Sequence, residues 1–353
     1  MLRRSASVPS RPGRRSRSGR VAHGAAQRAH RDLFERLHGR PLWLAGVAVA
    51  IGAGVLLLVA GAAGWPAVVR AFGHVHPGWI GLCVGGQVVA IAGYVAAFRS
   101  VESIGSPQRL PLRTVATIVV AGFGSHAIGG GFAIDRRALI RLGHDDAEAT
   151  IRVLGLGALE YAVLAPLACG CAVLLLVEGS SVQPAVLWPW AIAVPAGLTI
   201  GLWLARPQRW RDADEGSRLR AGWQRIMQGV GVLHVLALRP LHHADAWLGM
   251  AVYWVADIAT LYGALRLFGV PLGIPETVLA YAAGYAATRR TLPLGGAGAT
   301  EALMCFSLTW VGLSLAEAVP VVAAYRLANV ALPLLPAARA QRDVFALEHP
   351  PPG

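Results

Sequence analysis

The 353-residue sequence contains no lysine and few charged side chains of any kind. Its 32 basic residues are all arginine, only 19 residues are acidic, and charged residues make up 14% of the chain. Hydrophobic residues reach 55% and the mean hydropathy is +0.52, outside the usual range of a soluble domain of this length. This scarcity of charge excludes an ordinary soluble protein and predicts an integral membrane protein. A GC-rich coding bias accounts for the missing lysine, to which we assign no mechanism.

Cysteine is also scarce, and the four cysteines do not have the spacing of metal ligands. They lie in apolar stretches and are expected to pack as small hydrophobic side chains. The sequence therefore predicts neither a bound metal nor a cofactor. It also has no loop long enough for a nucleotide-binding or acyltransferase domain, which excludes an energy-coupled pump encoded in this chain. The function classes that remain are passive or ion-coupled transport and a membrane-embedded enzyme.

Residues 1–40 form a basic segment rich in serine, proline and glycine, too polar to build a core. We expect a disordered cytoplasmic tail that helps to orient the first span, rather than a nucleic-acid-binding arm. The apolar run that follows is long enough to cross a bilayer, which argues against a cleaved secretory signal. Residues 41–340 are predicted to form one polytopic transmembrane domain, followed by a short C-terminal tail over residues 341–353.

Six apolar runs are long enough to span a membrane. Each has about 19 to 25 residues, which covers roughly 30 Å of hydrocarbon at about 1.5 Å per residue. The runs are residues 42–64, 79–98, 153–177, 185–205, 246–268 and 318–336. We therefore predict an all-α polytopic membrane protein with about six to eight transmembrane helices.

Two further apolar stretches, residues 114–132 and 276–313, are interrupted. The first contains several glycines and His126, and the second is divided by the segment from Arg289 to Gly298. Arginine-rich loops face the cytoplasm, and such loops flank residues 114–132 on both sides, so this stretch is predicted to enter and leave the membrane on one side. By the same count residues 276–313 begin and end outside, and both termini are cytoplasmic. The arrangement resembles an inverted-repeat transporter with two re-entrant or broken helices.

The segment that divides residues 276–313 is the first candidate for function. Chain breakers beside charges are tolerated at membrane depth only where the backbone is buried in protein or lines a wet cavity. A second half-helix is predicted to begin near Gly298, with its positive end directed inward and Glu301 in its first turn. Because a helix N-terminus beside arginine binds anions, we predict a site for an anionic lipid. Its residues are Arg289, Arg290, Gly295, Gly296, Gly298, Glu301, Arg326 and Asn329.

Ionisable side chains also occur deep in the predicted spans. Glu160, Asp257 and Arg326 lie about 10 to 15 Å into their runs, where a charge costs about 2.5 to 3.5 kcal/mol. Arg326 is expected to pair with Glu301, and Asp257 with one of the two arginines that end the first half-helix. Two interpretations stay open. Either the pairs only hold helices together, or at least one arginine is left to meet a ligand phosphate.

The spacing of polar side chains supports a lined cavity. Tyr281 and Tyr285 recur one turn apart on one face of the first half-helix. Arg326 and Asn329 share a face three residues apart in the last span. His126 lies beside glycines in the other interrupted stretch and is predicted to line the path or to relay protons.

Four motifs resemble one known family. They are Gly-Gly-Phe-Ala-Ile-Asp at 130–135, Arg-Val-Leu-Gly-Leu-Gly-Ala-Leu-Glu-Tyr at 152–161, Thr-Arg-Arg-Thr-Leu-Pro-Leu-Gly-Gly-Ala-Gly-Ala-Thr-Glu-Ala at 288–302 and Ala-Tyr-Arg-Leu-Ala-Asn at 324–329. Over most of residues 42–339 the chain resembles the lysylphosphatidylglycerol synthase transmembrane-region family, also called flippase-like domain proteins. The most specific part is Pro-x-Gly-Gly-x-Gly-x-x-Glu followed by Tyr-Arg in the next span.

The resemblance implies lipid handling. In bifunctional relatives a membrane domain of this type moves aminoacylated phosphatidylglycerol between leaflets, and a separate soluble domain makes that lipid. We expect a stand-alone member without the soluble synthase domain, so aminoacyl transfer by this chain alone is not expected. The second signature of the family contains Glu160. Its characteristic core maps to Gly295, Gly296, Gly298, Glu301 and Arg326.

Three classes of function are compatible with these features. The first is a cell-membrane flippase for an anionic phospholipid or a polyprenyl-phosphate glycolipid, working beside a separate lipid-synthesis enzyme and without nucleic acid. The second is a membrane-embedded enzyme on lipid-linked sugars, which needs a catalytic carboxylate open to water. The third is a non-transporting scaffold for envelope-lipid synthesis. With no soluble catalytic domain expected, the flippase is favoured over the enzyme.

Overall fold

The computed structural model describes residues 41–73, 75–104, 109–126, 131–206, 218–286, 296–334, 336–337 and 339–340. The predicted tails, residues 1–40 and 341–353, lie outside these ranges. Arg289, Arg290 and Gly295 of the predicted site lie outside them as well. All regular structure in the described ranges is helical, which confirms the predicted all-α class.

The helices are named in chain order. They are α1 (Pro41–Ala63), α2 (Trp65–Ala71), α3 (Ile80–Glu102), α4 (Leu112–His126), α5 (Gly131–Arg141), α6 (Asp146–Val177), α7 (Pro184–Trp188), α8 (Val194–Leu204), α9 (Arg218–Leu238), α10 (Ala244–Leu267), α11 (Ile274–Tyr281), α12 (Ala299–Trp310) and α13 (Leu315–Arg326). A π-helical turn, Pro189–Ala193, joins α7 to α8. Two more π turns, Ala282–Ala286 and Leu327–Ala331, follow α11 and α13 directly.

Among the described residues, six helical segments are long and apolar enough to cross a membrane, in agreement with the six predicted runs. They are Gly46–Ala63, Pro77–Glu102, Asp146–Val177, Pro184–Leu204, Ala244–Leu267 and Leu315–Leu334. The third begins at Asp146 rather than at Val153, because Asp145 caps the helix. Its Oδ1 accepts a hydrogen bond from the Glu148 backbone N–H at 2.7 Å. The cap, rather than hydropathy, sets where this helix starts.

The crossing of α3 and α10 brings two backbones into direct contact. A Cβ at Gly93 would lie 2.6 Å from the Gly249 carbonyl oxygen, and a Cβ at Gly249 would lie 2.7 Å from that of Gly93. Gly86 makes the same kind of approach to α10. Small residues allow such close packing in membranes, where no hydrophobic drive acts between helices. The contact holds Gln87 of α3 against Asp257 of α10.

Both interrupted stretches form pairs of short helices. α4 packs against α5, and α11 packs against α12. α4 has 15 residues and α12 has 12. At 1.5 Å per residue these lengths are about 22 Å and about 18 Å, short of the roughly 30 Å of a bilayer core. The described helices on either side of each predicted break therefore pack as pairs, residues 127–130 and 287–295 between them lie outside the described ranges, and the side of the membrane on which each pair opens stays a prediction.

α9 is longer than the sequence indicates. The moderately apolar residues 226–241 predict a segment that lies in the membrane interface. The structure places a helix over Arg218–Leu238 and packs it against α6. The approach is close, since a Cβ at Gly155 of α6 would lie 2.8 Å from the side chain of Val232. α9 is thus a packing partner of a predicted span.

Cysteine labelling tests whether residues 114–132 are re-entrant. Arg109→Cys and Arg141→Cys, each in a chain without native cysteines, are expected to react with a membrane-impermeant thiol reagent from the cytoplasmic side. Ser181→Cys, in an arginine-poor connection predicted to lie outside, is the control that should react from the opposite side. Right-side-out and inside-out vesicles measure both. Reaction of either arginine position from outside would make this stretch a full crossing.

Candidate functional site

A completely buried carboxylate, Asp257 of α10, accepts four hydrogen bonds from described residues. Its Oδ2 accepts from the hydroxyl groups of Tyr281 at 2.5 Å and Tyr325 at 3.2 Å. Its Oδ1 accepts from Asn329 Nδ2 at 3.1 Å and from Gln87 Nε2. The donors come from α3, α11, α13 and the π turn after α13. These five residues, together with Tyr285, are called the Asp257 cluster.

The predicted pairing of Asp257 with an arginine stays a prediction, and the cluster shows the other partners of this carboxylate. The sequence predicts an arginine beside it, but the partners that the structure describes are hydroxyl and amide groups. Several donors stabilise a carboxylate, because hydrogen bonds to an ionised acceptor are strong. Arg289 and Arg290, the expected partners, lie outside the described residues.

The rings of three tyrosines enclose the carboxylate. The centroids of Tyr281 and Tyr285 are 5.2 Å apart, and those of Tyr285 and Tyr325 are 5.7 Å apart. Tyr281 and Tyr285 therefore share a face, as predicted. The Tyr285 hydroxyl donates to Asn329 Oδ1 at 3.1 Å. This bond sets the orientation of the Asn329 amide, so that its Nδ2 points toward Asp257.

Two of the cluster residues lie within π-helical turns. Tyr285 is in the turn Ala282–Ala286, and Asn329 is in the turn Leu327–Ala331. A π turn carries an extra residue, which changes the direction of the side chains that follow, and such turns are frequent at functional sites. The helical winding that follows α11 and α13 therefore changes at the cluster.

Glu301 and Arg326 form a second polar centre. Arg326 Nε donates to Glu301 Oε1 at 2.6 Å, which is the predicted pair. Glu301 Oε2 accepts from the Gly298 backbone N–H at 2.6 Å. α12 begins directly after Gly298, whose φ of 85° favours glycine. The predicted start of the second half-helix is therefore confirmed. Gly296 also has a left-handed φ, of 71°.

This geometry changes the expected anion site. The sequence analysis left open whether Arg326 is free for a ligand phosphate or is held in a pair. In the structure the carboxylate of Glu301 occupies the positive end of α12 and also binds Arg326. The protein's own carboxylate thus fills the position in which a ligand anion was expected. A ligand phosphate would have to compete with Glu301 for both groups.

α1 covers this ion pair. A Cβ at Gly52 would lie 2.9 Å from Glu301 Oε1, so glycine is needed for the carboxylate to fit against the helix. A Cβ at Gly298 would lie 3.1 Å from the side chains of both Ile51 and Val55. One face of α1 therefore closes the site where the second half-helix begins.

The remaining predicted residues are positioned differently. Glu160 of α6 is buried, and its carbonyl oxygen accepts a hydrogen bond from Trp254 Nε1 at 2.8 Å. The Trp254 ring lies 5.8 Å from that of Tyr281, centroid to centroid, so this tryptophan links α6 to the Asp257 cluster. His126 is the last residue of α4. Its side chain lies outside what the structure describes, so its predicted role stays a prediction.

Sequence reasoning omitted two members of the cluster from the site. Gln87 is a lone amide in the apolar run 79–98, and that interruption was the available signal. Tyr325 directly precedes Arg326 within a family motif, but the sequence alone does not reveal that its hydroxyl turns toward α10.

The comparisons with known proteins agree with this architecture. A comparison with curated proteins finds no match. The family model described as the lysylphosphatidylglycerol synthase TM region matches residues 43–337, which include every helix that contributes to the Asp257 cluster and to the Glu301–Arg326 pair. This multi-pass helical membrane protein therefore belongs to the lysylphosphatidylglycerol synthase TM region family.

Proposed function

We propose that the protein moves an anionic phospholipid or a polyprenyl-phosphate glycolipid between the leaflets of the cell membrane. The observation that carries the proposal is the buried Glu301–Arg326 pair at the start of a half-helix. Charges are costly at membrane depth, and broken helices whose ends meet charged groups are the usual construction of transporter sites. A separate enzyme is proposed to make the lipid, and both termini are proposed to be cytoplasmic.

The Glu301–Arg326 pair is suited to bind an anionic head group by exchanging one anion for another. A phosphate that reached Arg326 would replace the carboxylate of Glu301 as partner of the guanidinium, with two or more charge-assisted hydrogen bonds. Glu301 would keep its bond to the Gly298 N–H at the positive end of α12. The exchange of one anion for another avoids the cost of an unpaired buried charge. Arg289 and Arg290 are proposed to attract the head group toward this place.

The burial of the carboxylates argues against the enzymatic alternative. Glu160, Asp257 and Glu301 have exposed fractions of 2%, 0% and 4%. General acid or base catalysis on a lipid-linked sugar requires a carboxylate within reach of the substrate and of water. In the described conformation none of these three meets that requirement.

A leaflet-exchange assay tests the proposal. Purified protein is reconstituted in vesicles with a head-group-labelled phosphatidylglycerol, a polyprenyl phosphate or a zwitterionic phosphatidylcholine, and exchange is followed by quenching of the outer-leaflet label. Wild-type protein is expected to accelerate exchange of an anionic lipid. Arg289→Ala and Arg290→Ala are expected to slow anionic lipids more than the zwitterionic one, because each removes a charge–phosphate contact.

Arg109→Ala is the matched control for these variants. It removes one arginine from an exposed ion pair with Asp245, in which the two side chains are 46% and 63% exposed. Such pairs contribute about 0 to 1 kcal/mol, so exchange should be unchanged. If wild-type protein moves no lipid of the panel faster than empty vesicles do, the flippase proposal fails. If Arg109→Ala slowed lipid exchange as much as Arg289→Ala and Arg290→Ala do, the slowing would not come from a contact at this site.

A further inference from the structure

The Asp257 cluster joins the closely packed helices α3 and α10 to α11 and α13, the two helices that continue into π turns. Gln87 and Asp257 belong to α3 and α10, whose backbones are in direct contact at Gly93 and Gly249. The other donors to the carboxylate belong to α11, to α13 and to the π turn that follows α13. One carboxylate therefore holds α11 and α13 against the closely packed pair of α3 and α10.

The groups around α10 show what balances the charge of Asp257. Its partners within the described ranges are neutral, and Arg326, the cation that these ranges place beside the cluster, is engaged by Glu301. The Tyr325 hydroxyl donates to Asp257, and the Tyr285 ring lies 5.7 Å from that of Tyr325, centroid to centroid. Among the described residues, the titratable groups with a contact to α10 or to the cluster include Cys83 and Tyr94 on α3, Glu160 on α6, Tyr281 on α11, Tyr285 in its π turn, Tyr325 on α13 and His76 before the 3-10 turn Pro77–Trp79, and the charged Arg326 follows Tyr325 directly.

We infer that Asp257 is a proton-binding site whose occupancy sets the positions of α11 and α13, so that proton movement drives lipid movement. The inference rests on the proposed function and supplies its energy source. The step is a simple protonation. A proton from water on one side of the membrane binds the carboxylate, which becomes neutral, and it is released to water on the other side after the rearrangement.

The hydrogen-bond pattern specifies which oxygen takes the proton. Oδ1 faces the N–H groups of Gln87 and Asn329, which are donors, so a proton on Oδ1 would meet another donor. Oδ2 faces the hydroxyl groups of Tyr281 and Tyr325, and a hydroxyl can turn from donor to acceptor. The proton is therefore assigned to Oδ2, where it reverses one of these two bonds.

Protonation at Oδ2 has a direct path to the proposed lipid site. It replaces bonds to an ionised acceptor by weaker neutral ones. It therefore loosens the attachment of Tyr281 and Tyr325 to α10. Tyr325 and Arg326 are the last two residues of α13, and the π turn Leu327–Ala331 follows them directly. A movement of Tyr325 thus displaces the guanidinium that binds Glu301.

Infrared difference spectroscopy on the purified protein tests proton binding without any lipid movement. Between about pH 9 and about pH 5, a range in which buried carboxylates in proteins have been seen to take up a proton, wild-type protein should gain a carboxylic-acid C=O band. Asp257→Asn should lose that band. Asp245→Asn, which removes an exposed carboxylate from the first turn of the same helix, should keep it. A spectrum in which no band titrates, or in which Asp257→Asn retains the band, overturns the assignment.

A second measurement links the proton to transport. With one proton per lipid, a gradient of about one pH unit should shift the steady-state lipid ratio between leaflets by up to about tenfold, because one unit is a tenfold ratio of proton activity. Asp257→Asn should exchange lipid without responding to the gradient, and Asp245→Asn should respond like wild type. An equal response in Asp257→Asn overturns proton coupling. If wild type moves no lipid but the band titrates, the flippase proposal fails while Asp257 remains a proton site.

Discussion

Replacing Gly93 by leucine is expected to prevent the transmembrane helices from assembling. A Cβ at this position would lie 2.6 Å from the Gly249 carbonyl oxygen and 2.7 Å from the Tyr253 backbone nitrogen. Both are backbone atoms, which cannot move aside unless α3 separates from α10. The cost should therefore exceed the roughly 1 to 3 kcal/mol of ordinary overpacking. The yield of monodisperse protein after detergent extraction, together with its thermal unfolding midpoint, measures the effect.

Gly85→Leu is the matched control for this experiment. It makes the same change on the same helix, but a Cβ at Gly85 meets nothing within 4 Å. Its unfolding midpoint should stay close to that of wild type, since leucine is favourable in a lipid-facing helix. Similar losses in Gly85→Leu and Gly93→Leu would show that α3 does not tolerate leucine anywhere, and the close α3–α10 contact would not be the reason.

The second large effect is expected for Glu301→Gln. This change leaves the guanidinium of Arg326 buried without its carboxylate, and breaking a buried ion pair typically costs about 3 to 5 kcal/mol. Arg326→Gln should cost less. Glu301 then still accepts from the Gly298 N–H and remains at the positive end of α12. The two halves of the pair are therefore expected to be unequal.

The double variant measures how much Glu301 and Arg326 stabilise each other. Combining Glu301→Gln with Arg326→Gln removes both charges, so much of the stability lost in Glu301→Gln should return. Thermal or denaturant unfolding of the wild type, the two single variants and the double variant, all in one detergent, gives the coupling free energy. Purely additive losses would show that the two side chains do not stabilise each other.

Hydropathy and charge predicted the general architecture because both are properties of single segments. The six spans follow from apolar length and the start of α12 after Gly298 follows from chain breakers, and the described residues contain both. The Glu301–Arg326 pair was also predictable, since two opposite charges at membrane depth must find each other. The start of α6 was likewise readable from the sequence, because Asp145 and Glu148 have the spacing of a helix N-cap pair.

The Asp257 cluster was beyond sequence reasoning for a physical reason. The sequence predicts an arginine as partner of this buried carboxylate, and that pairing stays a prediction, whereas the hydroxyl and amide donors satisfy the carboxylate only because several converge on it. Convergence depends on the rotation of three helices about their own axes. That rotation is set here by backbone contact at Gly93 and by the two π turns, neither of which changes the hydropathy pattern.

The position of α1 has a consequence for biosynthesis. α1 is the first of these helices to leave the ribosome, yet it packs against α12 and α13, which are made last. Ala63 and Ala299 are separated by roughly 240 residues, so at about 5 to 20 residues per second α1 waits about 10 to 50 seconds for these partners. During this interval Gly52 faces lipid or a chaperone instead of Glu301. The closure over the ion pair is thus a late event in the assembly of each molecule.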